Sequence, residues 1–292
     1  MKSFLQILLP LRFLRHLLLL LALFAALFPI AWMASMAFKP MAEWTAASGD
    51  LTWLPKAPTL GNFQYIFTGV SDDYPSSTAM EKTAWRPIIA SLLVSGIGTL
   101  IATIAGTLAA YGFSRFDRGR GLPLVLAQQR LFPPLAVIIP VMIMWAYLDL
   151  IDSWWGLALI YGIVTLPFAF WLMLTFLDEV PVELEEAALI EGARPYRVFL
   201  RVTLPLVKPA LATTLLFVFI LNWSDYVLAL MLTREQWVTI PVFMNDLNSA
   251  QTGQLYGAKA ALGLIAIVPP MIVDMLIQKH LVRGLTFGAL KQ

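Results

Sequence analysis

Apolar residues in this chain fall into six long blocks, separated by stretches rich in charge, proline and glycine. A helix needs about 20 apolar residues to cross ~30 Å of hydrocarbon. The blocks reach that length and predict membrane helices over roughly 14–38, 86–113, 122–148, 154–177, 208–232 and 258–279. The first block, through LLLLLALFAALFPIAWMASMAF, follows Lys2, Arg12 and Arg15, as the core of a signal peptide would. Such a core is only about 7–15 residues long. This run exceeds 20 residues and further spans follow it, so it reads as an uncleaved first helix.

Lysine and arginine set the direction of insertion. With the N-terminus inside, the inner segments carry Lys2, Arg12, Arg15, Arg115, Arg118, Arg120, Arg194, Arg197, Arg201, Lys208, Lys279, Arg283 and Lys291, thirteen in all. The outer segments and their edges carry six: Lys39, Lys56, Lys82, Arg86, Arg234 and Lys259. The expected fold is therefore an all-α membrane protein of six transmembrane helices, with both termini inside. Composition points the same way. Of 292 residues, 59% are hydrophobic and 13% charged, and mean hydropathy is +0.76. A soluble domain carries about 25% charged residues, and no soluble fold could hide this much apolar surface. The net charge of +2 says little about partners, and no nucleic acid is expected among them. The absence of cysteine excludes disulfides and thiolate metal sites. With only His16 and His280, no metal site is expected.

Two segments then face outside. One covers about 39–85 and is rich in Pro, Gly, Ser and Asp; its Phe63–Phe67 stretch reads as a short amphipathic piece near the interface. The other covers about 233–257. The largest inner segment, 178–207, reads DEVPVELEEAALIEGARPYRVFLRVTLPLV. It predicts a helix, a break and a second helix. Pro181 suits a first turn, where its missing N–H costs nothing. Glu183, Glu185 and Glu186 favour the positive end of the helix dipole, and Gly192 suits a left-handed C-terminal cap. Pro195 opens the next helix and Pro205 limits it. The loop is too polar to cross a membrane, yet Leu184, Leu189, Ile190, Val198, Phe199 and Leu200 call for burial. From composition alone, this is either a solvated loop folded back on its own spans or a docking element.

The spacing inside the loop is more specific. Glu186, Ala187 and Ala188 are followed, after three residues, by Gly192, then after nine by Val202, with Leu204 and Pro205 beyond. This resembles the EAA loop of ABC importer permeases, with Val202 where Ile is common. The tail, QKHLVRGLTFGALK, resembles the end of the maltose-type carbohydrate branch at Gly284, Thr286 and Gly288. The resemblance covers roughly 86–291. It implies residues 1–85 as a first helix and long periplasmic segment, 86–279 as a five-helix permease core, and 280–292 as a cytoplasmic tail.

The resemblance also implies partners. These are a second permease subunit, identical or different, an ATP-binding cassette ATPase dimer, and an extracytoplasmic substrate-binding protein docked on the outer segments. The setting is the bacterial cytoplasmic membrane. Glu186, Ala187, Ala188, Gly192, Leu204 and Pro205 become the ATPase-coupling positions, with Glu186 pairing with a basic residue of the ATPase or capping its own loop. The chain lacks G-x-x-x-x-G-K-[ST], so it carries no phosphate cradle of that kind. ATP and Mg would belong to the partner, and no cofactor is expected on this chain.

Polar residues within spans are costly, so they usually face a cavity or a partner. Asn222, Trp223, Ser224, Asp225 and Tyr226 offer amide, carboxylate and aromatic groups suited to a sugar; the alternative is interhelical hydrogen bonding by Asn222 and Asp225. Arg130, followed by Pro133 and Pro134, calls for water, an anionic ligand or a structural partner. Trp145, Tyr147, Asp149, Asp152, Trp154 and Trp155 flank the outer hairpin and read mainly as an interfacial belt. Three other readings stand beside the importer: a secondary transporter driven by an ion gradient, an intramembrane enzyme and a purely structural subunit. The first leaves the EAA spacing unexplained, and no metal-ligand pair or activated nucleophile supports the second.

Overall fold

The computed structural model describes residues 2–44, 52–116, 121–131, 134–249 and 253–285. It is built from helices: α1 (Lys2–Ala37), α2 (Met41–Trp44), α3 (Gly61–Thr68), α4 (Trp85–Phe116), α5 (Leu122–Leu131), α6 (Pro134–Tyr147) and α7 (Trp154–Asp178). Then follow α8 (Glu183–Ile190), α9 (Pro195–Val198), α10 (Leu204–Leu206), α11 (Lys208–Trp223), α12 (Val227–Leu232), α13 (Ile240–Asp246) and α14 (Tyr256–Leu285). The described strands are a two-residue antiparallel pair, Asn248–Ser249 with Gly253–Gln254.

Among the described residues, four helical segments are long and apolar enough to cross a membrane: Leu14–Ala37, Trp85–Phe116, Trp154–Asp178 and Tyr256–Gln278. Of the expected third span, α5 and α6 are described, and Pro134 is the first residue of α6, where a missing N–H is tolerated. The fifth is interrupted by Ser224, Asp225 and Tyr226 between α11 and α12. At its other end, α11 meets Pro195–Leu206 at 77°.

The packing divides the chain into two units. One comprises Met1–Ala84 with Asp246–Ala266. Here α1 is exposed from Leu14 to Ile30, as a helix bathed in lipid or covered by another chain would be. The segment after it is firmly folded. Asn62 is fully buried; its amide donates to the carbonyls of Ala37 (2.9 Å) and Lys39 (2.8 Å) and accepts from the Tyr74 hydroxyl at 2.5 Å. Tyr65 stacks on Tyr74 with ring centroids 4.0 Å apart. Tyr65 and Ile66 are buried and Gln64 exposed, so the Phe63–Phe67 stretch is an amphipathic helical piece that packs its buried face into this unit. Lys39 is buried, donates to the Thr52 carbonyl and lies 4.9 Å over the Trp32 ring.

The other unit comprises Trp85–Asn245 with Ile267–Gln292. Its centre is the pairing of α4 with α7, with α11 packed on both. The buried stripe of α4 is made mostly of small residues, among them Ala90, Ser91, Ser95, Gly98, Thr99, Ala102, Thr103, Gly106, Thr107 and Ala110, with Val94 and Tyr111 also buried. Lipid offers no hydrophobic drive between helices, so close backbone approach and dispersion hold them together. A Cβ on Gly98 would lie 2.8 Å from Tyr161 Cβ, and one on Gly106 2.8 Å from Ala169 Cβ. At one end of the pair, Phe170, Met173, Leu177, Tyr111 and Val207 close an apolar cluster.

Candidate functional site: the loop 178–207 and the interrupted fifth span

The loop folds as helix, turn, helix. Pro181 stands two residues before α8 rather than in its first turn, and the N–H groups of Glu185 and Glu186 bond to the Val182 carbonyl. Gly192 adopts φ +86°. The Gly192 N–H bonds to the Leu189 carbonyl and the Ala193 N–H to the Ala188 carbonyl, both at 3.0 Å. That is the paired closure of a Schellman cap, and the left-handed residue it requires is cheap only for glycine. Pro195 opens α9 as expected. Pro205 limits the second helix as expected: α9 runs through a π turn, Phe199–Thr203, into α10, which ends at Leu206. The Leu204 N–H reaches back to the Phe199 carbonyl, so the wide turn lies immediately before the residue that lacks an N–H.

Two adjacent glutamates take opposite roles. Glu186 and Ala187 are exposed, with Leu184, Leu189 and Ile190 beside them; Ile190 is 88% exposed. Of the six apolar residues expected to be buried, Val198 is buried and Phe199 partly so, while Leu184, Leu189, Ile190 and Leu200 are exposed. The physical reason is that α8 is anchored through a polar contact on its other side. Glu185 is 5% exposed. Its Oε1 accepts from Arg115 Nε at 2.8 Å and Thr203 Oγ1 at 2.9 Å, and its Oε2 accepts from the Tyr111 hydroxyl at 3.0 Å. Arg115 Nη2 donates to the carbonyls of Leu177 (3.0 Å) and Val180 (2.9 Å), and Nη1 to Ser114 Oγ at 3.0 Å. Ser114 in turn donates to Asp178 at 2.5 Å. Sequence reading missed Glu185, Arg115, Tyr111 and Thr203. The available signal was the i, i+4 placement of Tyr111 and Arg115 in the last turns of a span, next to a loop rich in carboxylates.

The cluster at 222–226 is divided. Asn222 is 2% exposed and its amide donates to Thr99 Oγ1 at 3.2 Å. Trp223 is buried and stacks on Phe219. Asp225 Oδ1 accepts from the Tyr161 hydroxyl (3.1 Å) and from the N–H groups of Leu228 (3.0 Å) and Ala229 (3.2 Å). It therefore caps α12 and ties the break to α7. Ser224 is exposed and Tyr226 half-buried, so these two have accessible surface at the break.

The outer hairpin also separates. Trp145 is 3% exposed and donates Nε1–H to the Gly156 carbonyl at 3.1 Å, so it is a packed residue and not part of a belt. Tyr147, Trp154 and Trp155 are exposed. Asp152, at φ +55°, receives the N–H groups of Glu235, Gln236 and Trp237, each at 3.0 Å. Burial pushes its carboxyl up, but these donors together outweigh it and hold it below the usual carboxylate range. Arg130 belongs to α5, but its side chain lies outside the described residues, as do Thr286 and Gly288. Gly284 falls in the last turn of α14.

The geometry is that of a membrane permease: lipid-length helices around a small-residue seam, and a polar loop that projects an uncovered helix from a fixed base. The model of the binding-protein-dependent transport system inner membrane component matches residues 98–287. A trehalose transport system permease protein, SugB of Mycobacterium tuberculosis, is 34% identical over 91% of this chain and 93% of its own length. The galactooligosaccharides transport system permease protein GanQ of Bacillus subtilis is 30% identical, covering 94% of each. The sulfoquinovosyl glycerol permease protein SmoH of Agrobacterium fabrum is 29% identical over 97% and 94%. A crystal structure of a bacterial ABC transporter that imports the acidic polysaccharide alginate contains a chain of the same fold, with TM-score 0.72 at 23% identity, covering 91% of this chain and 95% of that one. The chain belongs to the family of binding-protein-dependent transport system inner membrane components. It is a permease subunit of an ATP-driven ABC importer and not an enzyme; ATP is hydrolysed by a separate subunit. Family membership sets aside the ion-gradient alternative.

Proposed function

We propose that this chain is one of two permease subunits that form the pathway for a sugar or sugar-like solute across a bacterial cytoplasmic membrane, with six spans and both termini inside. Loop 178–207 docks on the ATPase partner, which holds ATP and Mg, and the outer segments receive the substrate-binding protein. The observation that carries this reading is the uncovered face of α8. Glu186, Ala187 and Gly192 lie exposed beside Leu184, Leu189 and Ile190. An apolar face on a polar loop, centred on small residues, is a surface built to be covered by a protein. The substrate class is supported by relatives named for trehalose, galactooligosaccharide and sulfoquinovosyl glycerol transport. Ser224 and Tyr226, at the break in the fifth span, are the residues of the 222–226 cluster proposed to meet the solute. Asn222, Trp223 and Asp225 shape the break around them. Arg130 is proposed as a pathway charge.

The test is to purify the tagged protein from mild detergent with every co-purifying chain identified, and to follow uptake of labelled trehalose, maltose and a galactooligosaccharide in cells. A co-purifying ATPase that is lost on replacing Glu186 and Gly192, with uptake of one of these sugars, supports the reading. A well-folded protein that comes down alone overturns it.

A further inference from the structure

We infer that Glu185 and Arg115 form an internal bolt that makes the coupling helix move as one body with α4 and α7, so that ATPase closure reaches the membrane helices instead of being absorbed in the loop. The inference rests on the docking role proposed for loop 178–207.

The bolt joins four pieces of chain at one point. Glu185 belongs to α8, Arg115 and Tyr111 to the last turns of α4, and Thr203 to the π turn leading into α11; Arg115 also grips Leu177 and Val180 at the end of α7. Both charged side chains are 6% exposed. A planar guanidinium bonded to Glu185, Ser114 and the carbonyls of Leu177 and Val180 has little freedom to rotate. Three bonds converge on Glu185, from Arg115 and Tyr111 on α4 and from Thr203 on the π turn, so α8 cannot slide along the end of α4 or roll on it without breaking at least one. Burying two charges is a poor way to gain stability, because desolvation offsets most of the attraction. What such a pair does well is fix one geometry. Consecutive helix positions are turned by about 100°, so holding Glu185 inward presents Glu186 and Ala187 outward to the ATPase. Force applied to the exposed face is then delivered to α4 and α7 through Glu185.

The absence of cysteine makes the test direct. Single cysteines are placed at Glu183, exposed in the first turn of α8 and not among the residues of the face proposed to dock, and at Ile89, exposed near the start of α4. Both are spin-labelled in the complex with its ATPase, and the label distance is measured without nucleotide and with ATP under conditions that block hydrolysis. In the otherwise unaltered protein the distance is expected to stay the same, because both labels ride on one body. Glu185→Gln keeps the side-chain volume but removes the charge. The double variant Glu185→Leu with Arg115→Met replaces the pair by apolar groups of similar size, a change that folded proteins often tolerate. In either variant ATP is expected to move α8 without α4, giving a second, displaced distance while the ATPase remains bound and active. An unchanged distance in both variants, or a distance that already shifts in the unaltered complex, would overturn the bolt. Failure of the ATPase to co-purify with the unaltered protein would appear before any distance is measured, and would refute the docking reading instead.

Discussion

Substituting alanine for Gly106 tests whether close backbone approach really holds α4 to α7. The new Cβ would lie 2.8 Å from Ala169 Cβ and 2.9 Å from the Phe170 nitrogen. Carbon atoms rest about 3.5–4.0 Å apart, so the helices must part locally by roughly 0.7–1.2 Å. A gap of ~0.5–1 Å forfeits a quarter to a half of the dispersion attraction of the atoms involved. Neither obstacle is the end of a flexible side chain, so relief requires backbone movement. Overpacking of this kind costs about 1–3 kcal/mol, offset by the ~0.5–1 kcal/mol that alanine gains over glycine within a helix. Gly96 and Gly112 lie in the same helix but face open space. The same substitution there carries only the gain. Gly106→Ala should therefore lower the thermal unfolding midpoint in detergent, while Gly96→Ala and Gly112→Ala should leave it unchanged or raise it. The seam would not be the organising contact if Gly106→Ala proved as stable as Gly112→Ala. Gly98→Ala meets Tyr161 Cβ at 2.8 Å and should behave like Gly106→Ala.

At Gly192, φ is +86° and a Cβ would meet nothing, so Gly192→Ala should cost only the left-handed backbone penalty of about 1–2 kcal/mol. Gly192→Asn should cost less; equal losses of ATPase co-purification for Ala and Asn would argue for a contact role instead. Asn222→Leu orphans Thr99 Oγ1 and should destabilise by about 1–3 kcal/mol. Ser224→Ala should alter uptake with little change in melting, and a melting loss equal to that of Asn222→Leu would place Ser224 among the packing residues. Asp152 has its carboxyl held below the ordinary value, so the stability it lends to residues 235–237 is full above the unfolded-state pKa. That contribution is lost as pH falls through the lower, folded-state pKa. Hydrogen exchange of the three amides should accelerate across that acid window, once corrected for the intrinsic rate. Asp152→Asn should remove the dependence, and its persistence would refute the assignment.

Block length and scarcity of charge were enough to show that the chain lives in a bilayer, because the need to satisfy backbone polar groups in lipid leaves helices as the economical answer. The spacing from Glu186 to Pro205 pointed to the family the chain belongs to, and Gly192 was legible because a left-handed cap strongly favours one residue type. Mid-span polar residues marked where the fifth span is weak, but not that α11 stops at Trp223 and helix resumes at Val227. That break is set by Asp225 bonding Tyr161 on α7 and the N–H groups of α12. Trp145 looked like its neighbours in sequence, and only packing shows that it is buried. Glu185 and Glu186 are the sharpest case. They are chemically identical and adjacent, and helical periodicity alone does not say which of them turns inward. The choice depends on Arg115, 70 positions away in sequence. Two distant segments meet there only because the small-residue seam brings the end of α4 beside the end of α7. Sequence determined the class of molecule; the tertiary fold decided which glutamate lies exposed and which is buried against Arg115.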